Sequence, residues 1–248
     1  MSTPPTTILI TGANQGLGFE TARQLSKQPN VHLFLAGRDP TKIQEAQTKI
    51  TTEEGCQAFI DTVIIDVTDD ASIKAAVEEV QSKLRGAALD VLVNNSGVAM
   101  DREIADKGLR RVFEGTYAVN VFGAAVVADS FLPLLKQSKS EGGGRIVNLS
   151  SGLGSIATMA DPNGQYKGYY FYAYNSSKSA LNSITVTLAM KNPELHVVCI
   201  DPGHNATNLN HYSGSMDPKD GVKVIVAHAL KKVGKSTGYY SNDGEIPW

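Results

Sequence analysis

The chain has 248 residues, of which 42% are hydrophobic and 19% are charged, and its formal net charge at pH 7 is −2. This length suits one α/β domain with a core of its own, and the absence of a basic block argues against a nucleic-acid partner. The two cysteines, Cys56 and Cys199, lack the spacing of metal ligands and are expected to be reduced, as in a cytoplasmic protein.

Short apolar runs alternate along the chain with helix-length segments. The runs predict strands over Thr7–Thr11, Val31–Ala36, Thr62–Asp66, Leu89–Asn94, Arg145–Leu149 and Leu195–Ile200. The segments between them predict helices over Gly16–Gln28, Thr41–Thr52, Asp69–Leu84 and Gly115–Lys136. Strands that are apolar throughout are typical of a parallel sheet covered on both faces.

This alternation predicts a Rossmann-type, doubly wound α/β fold, in which a parallel sheet is joined by right-handed crossovers. The sequence shows no internal repeat, linker or low-complexity tract, so we expect residues 1–248 to form a single domain. Ligands of such sheets bind at the carboxyl ends of the strands. Candidate functional residues are therefore expected directly after each strand.

Targeting signals are not evident in the sequence. The opening stretch MSTPPTTILI has neither the charged start nor the long apolar run of a signal peptide. No segment was expected to approach the roughly 18 apolar residues of a membrane span. We therefore expect a soluble, cytoplasmic protein without a membrane partner.

The loop after the first predicted strand reads TGANQGLG over residues 11–18. Its glycines permit a tight turn and a close approach of a phosphate, and the helix that follows offers free N–H groups to a pyrophosphate. The spacing T-G-x-x-x-G-x-G differs from the G-x-G-x-x-G of the usual dinucleotide fingerprint. The loop alone therefore leaves open both a dinucleotide site and a simple turn.

Further motifs follow this loop in a fixed order. They are Asp66-Val67, Asn94-Asn95-Ser96-Gly97, Asn120 in the long helix, Arg145-Ile-Val-Asn-Leu-Ser-Ser151, Tyr174-Asn-Ser-Ser-Lys178, and Asp201-Pro-Gly203 with Thr207. In this order they resemble the short-chain dehydrogenase/reductase family over nearly the whole chain, with Ser96 in place of the family's usual alanine. The C-terminal stretch Thr237–Trp248 is similar to the family's carbonyl-reductase-like branch.

The resemblance implies a bound nicotinamide dinucleotide. The residues that it assigns to the cofactor are Gly12, Asn14, Gln15, Gly16, Leu17, Gly18, Arg38, Asp66, Val67, Asn94, Ser96, Gly97, Tyr174, Lys178, Pro202, Gly203 and Thr207. Within this set, Asp66 and Val67 would contact the adenine, and the residues from Pro202 to Thr207 would lie beside the nicotinamide.

The end of the second predicted strand bears on the choice of cofactor. An acidic residue about 20 residues after the glycine loop holds the ribose 2′-OH of NAD, whereas an arginine there accommodates the 2′-phosphate of NADP. Arg38 occupies this region and carries donors suited to phosphate, so we predict NADPH over NADH. The alternative is that Arg38 points into solvent and Asp39 caps the next helix.

A crowded aromatic stretch, YYFYAYNSSK, covers residues 169–178. Of the nine tyrosines, only Tyr174 has a lysine four residues later, on the same face of a helix. The free pKa of tyrosine is about 10, and an ammonium at about 4 Å is expected to lower it. The pair Tyr174–Lys178 therefore suits proton donation to a carbonyl oxygen, although a purely structural tyrosine is the alternative.

The resemblance also implies a catalytic set. Tyr174 would be the general acid, Lys178 would lower its pKa and hold the nicotinamide ribose, Ser151 would hydrogen-bond the substrate carbonyl, and Asn120 would hold a relay water. Ser150 competes for the serine role, and alignment on the fifth strand favours Ser151. The gap from Ser151 to Tyr174 is wider than is usual in the family, and the excess falls in Ser155–Tyr170.

We therefore expect an NADPH-dependent reductase of ketones or aldehydes. The alternatives are an NADP-dependent secondary alcohol dehydrogenase and a catalytically inert dinucleotide-binding sensor. No metal is expected from the spacing of the five histidines. Family members are often oligomers, so a homodimer or homotetramer is expected, with a monomer left open.

Two segments were expected to shape the substrate pocket. The aromatic residues Tyr166, Tyr169, Tyr170 and Phe171 would form an apolar wall, or else serve only in packing. The loop-like segment Asn208–Met216 would close over the substrate.

Overall fold

Within residues 4–248, which the computed structural model describes, eight strands form one sheet in the order β3-β2-β1-β4-β5-β6-β7-β8. The strands are β1 Thr6–Thr11, β2 Val31–Gly37, β3 Phe59–Ile64, β4 Val91–Asn94, β5 Arg145–Leu149, β6 His196–Ile200, β7 Tyr239–Ser241 and β8 Gly244–Glu245. Strands β1 to β7 are paired in parallel, and β8 pairs antiparallel with β7.

Helices cover both faces of this sheet. They are α1 Gly16–Leu25, α2 Pro40–Thr51, α3 Asp70–Leu84, α4 Ile104–Lys107, α5 Leu109–Tyr117, α6 Ala124–Leu135, α7 Ile156–Met159, α8 Tyr172–Lys191, α9 Pro218–Gly221 and α10 Lys223–Leu230. A π-helical stretch, Ala118–Gly123, joins α5 to α6.

The core consists of two apolar clusters, one on each face of the sheet. Ile8 and Ile10 of β1 pack in the cluster that includes α1, α2 and α10, whereas Leu9 packs in the cluster that includes α3, α6 and α8. Successive side chains of a strand point to opposite faces, so one short apolar run fills both clusters. The predicted doubly wound fold is confirmed.

The observed bounds differ from prediction mainly where the sheet has an edge. Strand β5 has the predicted bounds, but β3 covers Phe59–Ile64 rather than Thr62–Asp66. Two of its six residues are buried and Phe59 is exposed, as expected for a strand at one end of the sheet. The two short strands β7 and β8 were not predicted, because three and two residues give no usable pattern.

One expectation about membranes was wrong. The helical run Leu109–Leu135 contains an 18-residue window with a mean hydropathy of 1.7, which is apolar enough for a membrane span. Half of that window is buried within the protein, and Val127, Phe131 and Leu135 lie in one core cluster. A core helix passes the same test, so packing on the sheet accounts for its composition. The signal-peptide expectation rests partly on residues 1–3, which lie outside the described residues.

Candidate active site

The loop between β1 and α1 has a backbone that glycine adopts most readily. Gly12 and Gly16 have φ angles of +64° and +57°. A Cβ at Gly18 would lie 2.4 Å from the carbonyl oxygen of Gly12, so α1 can approach the strand ends only with glycine there. Helix α1 has no side-chain cap at Gln15 and no acidic residue in its first turn. Its first N–H groups therefore remain suited to an anion.

Asn14 and Leu17 of this loop, both predicted to bind the cofactor, have side chains in different surroundings. The Asn14 side-chain oxygen lies near the end of β2, 3.5 Å from the Cβ position of Gly37. The side chain of Leu17 packs against an apolar cluster on one face of the sheet.

The loop after β4 is tied to the glycine loop by Asn95. The Thr11 hydroxyl accepts hydrogen bonds from the backbone N–H groups of Asn95 and Ser96, each at 3.0 Å. The Asn95 amide donates to the carbonyl oxygens of Thr11 at 2.7 Å and Gly12 at 3.2 Å. Sequence reasoning gave Asn95 no role, although a side-chain amide directly after a buried strand was a signal for one.

The neighbouring Asn94 is committed to the core. Its amide donates to the carbonyl oxygen of Ala124 at 3.1 Å and to the side-chain oxygen of Asn148 at 2.9 Å. The side chain thus joins β4 to β5 and to helix α6. A contact between Asn94 and a cofactor would have to use its backbone.

The end of β2 separates the roles of two adjacent charged residues. Asp39 caps α2 by accepting from the N–H groups of Lys42 at 3.1 Å and Thr41 at 3.0 Å, and these bonds lower its pKa. Arg38 is exposed and, within residues 4–248, has no hydrogen-bond or ion-pair partner. The Asp39 cap that sequence reasoning offered as an alternative is present, and it leaves the guanidinium of Arg38 unengaged.

Asp66 lies close to Arg38 at the same edge of the sheet. Its carboxylate accepts from the hydroxyl of Thr68 at 2.7 Å and from the Thr68 N–H at 2.9 Å. These bonds lower the pKa of Asp66, and the charge of Arg38 lowers it further. The next residue, Val67, packs so tightly on the π-helical stretch that a Cβ at Gly123 would lie 2.6 Å from its carbonyl oxygen.

The π-helical stretch positions Asn120, which is 1% exposed. Its side-chain oxygen accepts from the Val98 N–H at 2.8 Å, and its amide donates to the Val98 carbonyl at 2.9 Å and to the Ser177 hydroxyl at 3.0 Å. The residue therefore links the loop after β4 to α8. A Cβ at Gly97 would lie 3.5 Å from this oxygen and 3.7 Å from the Lys178 Nζ, so the predicted residues lie together.

Helix α8 presents Tyr174 and Lys178 on one face, as their spacing predicts. The Lys178 Nζ lies 5.6 Å from the centre of the Tyr174 ring and donates to the Leu149 carbonyl oxygen at 2.8 Å. The carboxylate of Asp101 caps the helix by accepting from the N–H groups of Ala173 and Tyr174, each at 2.9 Å. Sequence reasoning missed Asp101, because nothing near it in the chain indicates a distant helix end.

Burial governs the pKa values of this pair. Burial lowers the pKa of Lys178 to about 8, and it raises the pKa of Tyr174 to about 12. The nearby hydroxyl of Ser151 lowers the pKa of Tyr174, and the charge of Asp201 raises it. In the chain alone the expectation of a pKa below the free value was wrong, because burial, the largest cause, destabilises the phenolate. Tyr174 is therefore fully protonated at pH 7.

The structure distinguishes the two adjacent serines. Ser150 is buried, and its hydroxyl bonds to the Asn182 side-chain oxygen at 2.6 Å and the Lys178 carbonyl at 3.4 Å. The Ser151 hydroxyl lies near that of Tyr174 and accepts a long bond, 3.3 Å, from the Leu153 N–H. The geometry thus brings Ser151 rather than Ser150 to Tyr174.

The loop after β6 lies across the site from α8. Gly203 has a φ angle of +82° and donates its N–H to Asp201 at 3.0 Å, and the Pro202 carbonyl accepts from Asn205 at 2.9 Å. The side chain of Thr207 lies 3.8 Å from the Cβ position of Gly16. Thr207 therefore connects the loop after β6 to the glycine loop.

The segment Asn208–Met216 folds back on this loop. At one end, the side-chain oxygen of Asn208 lies 3.6 Å from the Cβ position of Gly16. At the other end, the side chain of Met216 lies 3.1 Å from the Cβ position of Gly203. Met216 also forms backbone bonds with Ala206 at 2.9 Å and His204 at 3.0 Å. The segment thus contacts the glycine loop, and its expected closure over a substrate stays a prediction.

In the aromatic stretch, Tyr166 and Tyr169 contact other side chains, whereas Tyr170 is exposed to solvent. The Tyr166 hydroxyl donates to Asp201 at 3.2 Å, and burial together with that carboxylate raises the pKa of Tyr166. The Tyr169 ring lies 5.6 Å from that of His204 and 6.4 Å from that of Phe171. Tyr170 is 69% exposed, so it does not contribute to a wall.

No group of metal-binding side chains occurs within residues 4–248. The arrangement therefore consists of proton-transferring and hydrogen-bonding groups: a protonated tyrosine, a buried lysine, a serine hydroxyl and a fixed asparagine. Such groups can hold a carbonyl oxygen and supply a proton to it.

Comparisons with known proteins agree with this geometry. A family profile described as short chain dehydrogenase matches residues 6–218. Short-chain dehydrogenase anuI of Penicillium roqueforti (strain FM164) is 36% identical over 228 residues, covering 90% of this chain and 88% of that protein. The (+)-neomenthol dehydrogenase of Capsicum annuum is 27% identical over 293 residues, covering 90% of each chain.

Two solved carbonyl reductases share the fold over nearly their whole length. The NADPH-bound carbonyl reductase from chicken fatty liver superposes with a TM-score of 0.83 at 28% identity, covering 99% of this chain and 100% of that chain. The carbonyl reductase Sniffer of D. melanogaster gives a TM-score of 0.82 at 28% identity, covering 98% and 100%.

Proposed function

Since the chain belongs to the short-chain dehydrogenase/reductase family, whose members are oxidoreductases acting on CH–OH and C=O groups, we propose that it is an NADPH-dependent reductase of ketones or aldehydes. The observation that carries the proposal is the meeting of Tyr174, Lys178 and Ser151. The lysine Nζ lies 5.6 Å from the tyrosine ring centre, and the serine hydroxyl lies beside the tyrosine hydroxyl.

The strand ends fit a dinucleotide that carries a 2′-phosphate. The uncapped start of α1 would hold the pyrophosphate, and the unengaged Arg38 would hold the 2′-phosphate. The carboxylate of Asp39, which would repel that phosphate, is committed to α2. The similarity to an NADPH-bound carbonyl reductase supports the same choice.

The remaining cofactor would lie along the other strand ends. Asp66 and Val67 would contact the adenine, and Lys178 the nicotinamide ribose. Gly203 and Thr207 would fix the carboxamide. When bound there, NADPH supplies the hydride.

In this mechanism the Ser151 hydroxyl donates a hydrogen bond to the carbonyl oxygen of the substrate. The carbonyl carbon gains the hydride, and the Tyr174 hydroxyl gives its proton to the oxygen, so that C=O becomes CH–OH. Tyr174 is left as a phenolate, which the ammonium of Lys178 stabilises until a solvent proton returns. Asn120 holds the loop and the helix that place this lysine.

The reverse reaction, oxidation of a secondary alcohol, uses the same groups, and one relative is a neomenthol dehydrogenase. Oxidation requires Tyr174 to act as a base. In the chain alone a pKa of about 12 keeps the proton of Tyr174 in place at pH 7, which is the protonation state that reduction uses. An inert sensor is disfavoured, because all four catalytic candidates are present and adjacent.

The partner we propose is a small carbonyl compound, with no nucleic acid and no membrane, and a cytoplasmic location stays a prediction. A homodimer or homotetramer is supported by large exposed apolar side chains on α5, the π-helical stretch and α8. These are Leu109, Phe122, Tyr172 and Met190. Exposed apolar groups of this kind often mark interfaces, and gel filtration would distinguish an oligomer from a monomer.

The proposed function is tested by following NADPH consumption with a panel of ketones and aldehydes. Tyr174→Phe should lose roughly 10²–10⁴-fold in kcat, as expected for removal of a general acid. Tyr170→Phe, which alters an exposed neighbour, should match the wild type. An active Tyr174→Phe variant would show that another group supplies the proton.

A further inference from the structure

Residues 160–170, here called the strap, connect α7 to α8 and have no part in the mechanism above. Two contacts fasten the strap to the loop after β6. The Tyr166 hydroxyl donates to the Asp201 carboxylate at 3.2 Å, and the Tyr169 ring lies 5.6 Å from that of His204. The strap therefore bridges the loops that follow two neighbouring strands, β5 and β6.

The Tyr166–Asp201 bond is built into the surrounding structure. Asp201 is only 6% exposed, and its second oxygen accepts from the Gly203 N–H at 3.0 Å. The Tyr166 hydroxyl approaches the chain so closely that a Cβ at Gly152 would lie 1.9 Å from it. Only glycine at that position leaves room for the bond, which distinguishes it from a chance surface contact.

This fastening lies beside the candidate catalytic groups. Gly152 directly follows Ser151, and the carboxylate of Asp201 is near enough to Tyr174 for their charges to interact. Tyr169 and Phe171, whose ring centres lie 6.4 Å apart, follow this fastening in the chain and lead into α8. We expect a large substrate held at Ser151 and Tyr174 to reach these rings and a small one to stay clear of them.

We infer that Tyr166 is a positioning residue: its bond to Asp201 closes the strap beside Ser151 and Tyr174, and the closed strap selects between large and small carbonyl substrates. The proposed selection between substrates rests on the proposed reductase function. The closure of the strap by the Tyr166–Asp201 bond does not, and it can be measured without turnover.

Hydrogen exchange of the free protein tests the closure. Tyr166→Phe keeps the ring but removes the donor, so amide exchange in residues 160–170 should accelerate by about tenfold, the scale of one hydrogen bond to a charged group. Asp201→Asn keeps one oxygen to accept from the Gly203 N–H and offers an uncharged NH2 to the Tyr166 hydroxyl, so exchange in the strap should also accelerate, by less than in Tyr166→Phe. Tyr170→Phe is the matched control, since Tyr170 is exposed.

Kinetics with two activated diketones of different size test the selection. Tyr166→Phe should raise KM for phenanthrenequinone, which has three fused rings, by several-fold to about tenfold with kcat nearly unchanged. The constants for diacetyl should not change. Tyr170→Phe, the matched control, should keep the wild-type ratio of the two KM values.

Different results would contradict the closure of the strap and the selection between substrates. Unchanged exchange in Tyr166→Phe, or equal acceleration in Tyr170→Phe, would overturn the closure. Equal effects on both diketones would overturn the selection and leave Tyr166 with a structural role. If the wild type reduces neither compound, the proposed function fails with the selection, while the exchange result still decides the closure.

Discussion

The side-chain amide of Asn95 donates to the carbonyl oxygen of Thr11 at 2.7 Å, and so ties the end of β4 to the start of the glycine loop. A second bond reaches Gly12 at 3.2 Å. The loop that we propose for the pyrophosphate is therefore held from a different strand.

Replacing Asn95 with alanine should loosen this loop. The lost bonds leave partly buried carbonyl oxygens unpaired, so the free energy of unfolding should fall by about 1–3 kcal/mol. The dissociation constant for NADPH should rise as well, because the glycine loop would no longer be preorganised. Urea denaturation and titration of NADPH fluorescence measure the two effects.

Gln44→Ala is a suitable control for the asparagine variant, since Gln44 is exposed and its amide bonds to Gln47 rather than to the glycine loop. Wild-type affinity for NADPH in Asn95→Ala, despite a loss of stability, would mean that the glycine loop keeps its shape without the tie.

How far the sequence predicts the site depends on the distance over which each contact acts. The Tyr174–Lys178 pair is set by helical spacing alone and was predicted. The Asp101 cap of α8 and the Asn95 tie join segments more than 70 residues apart, and no local pattern contains them. The raised pKa of Tyr174 was also missed, since its burial arises from packing of several elements rather than from its four-residue neighbourhood.

The role proposed for Arg38 predicts a change in cofactor preference. Arg38→Gln removes the charge but keeps a polar side chain, so KM for NADPH should rise by about ten- to a hundredfold, the scale of charge-assisted hydrogen bonds. The constants for NADH, which lacks the 2′-phosphate, should barely change. Initial rates with both cofactors provide the ratio.

Arg110→Gln, at another exposed arginine, controls for the loss of one positive charge. An unaltered ratio of NADPH to NADH efficiency in Arg38→Gln would place the 2′-phosphate elsewhere.

The charge of Asp201 should set the alkaline limit of reduction. Reduction needs a charged Lys178 and a protonated Tyr174, and Asp201 raises the pKa values of both, which are about 8 and about 12. Asp201→Asn removes this negative charge, so both pKa values fall. The alkaline limb of the kcat/KM profile should therefore move to lower pH. Asp70→Asn, on the exposed first turn of α3, should leave the profile in place, and a shift to higher pH in Asp201→Asn would contradict the assignment.

The buried lysine should cost stability at neutral pH. Burial lowers the pKa of Lys178 from 10.5 to about 8, so the folded protein disfavours its charged form, by about 3 kcal/mol when the shift is converted at 1.36 kcal/mol per pKa unit. Lys178→Met removes this cost but also the bond to Leu149 at 2.8 Å, which is worth about 1 kcal/mol. The variant should therefore be more stable than the wild type at pH 7, by about 2 kcal/mol.

This gain has a defined pH dependence. Between pH 8 and 10.5 the unfolded wild type binds more protons at Lys178 than the folded protein does, so wild-type stability rises with pH and the advantage of Lys178→Met should disappear. Urea denaturation across this range measures it, with Lys139→Met, at an exposed and unpaired lysine within residues 4–248, as the control. The same variant should lose reductase activity, since no ammonium remains beside Tyr174. A variant that is both less stable at pH 7 and fully active would show that Lys178 is a structural residue held by its bond to Leu149.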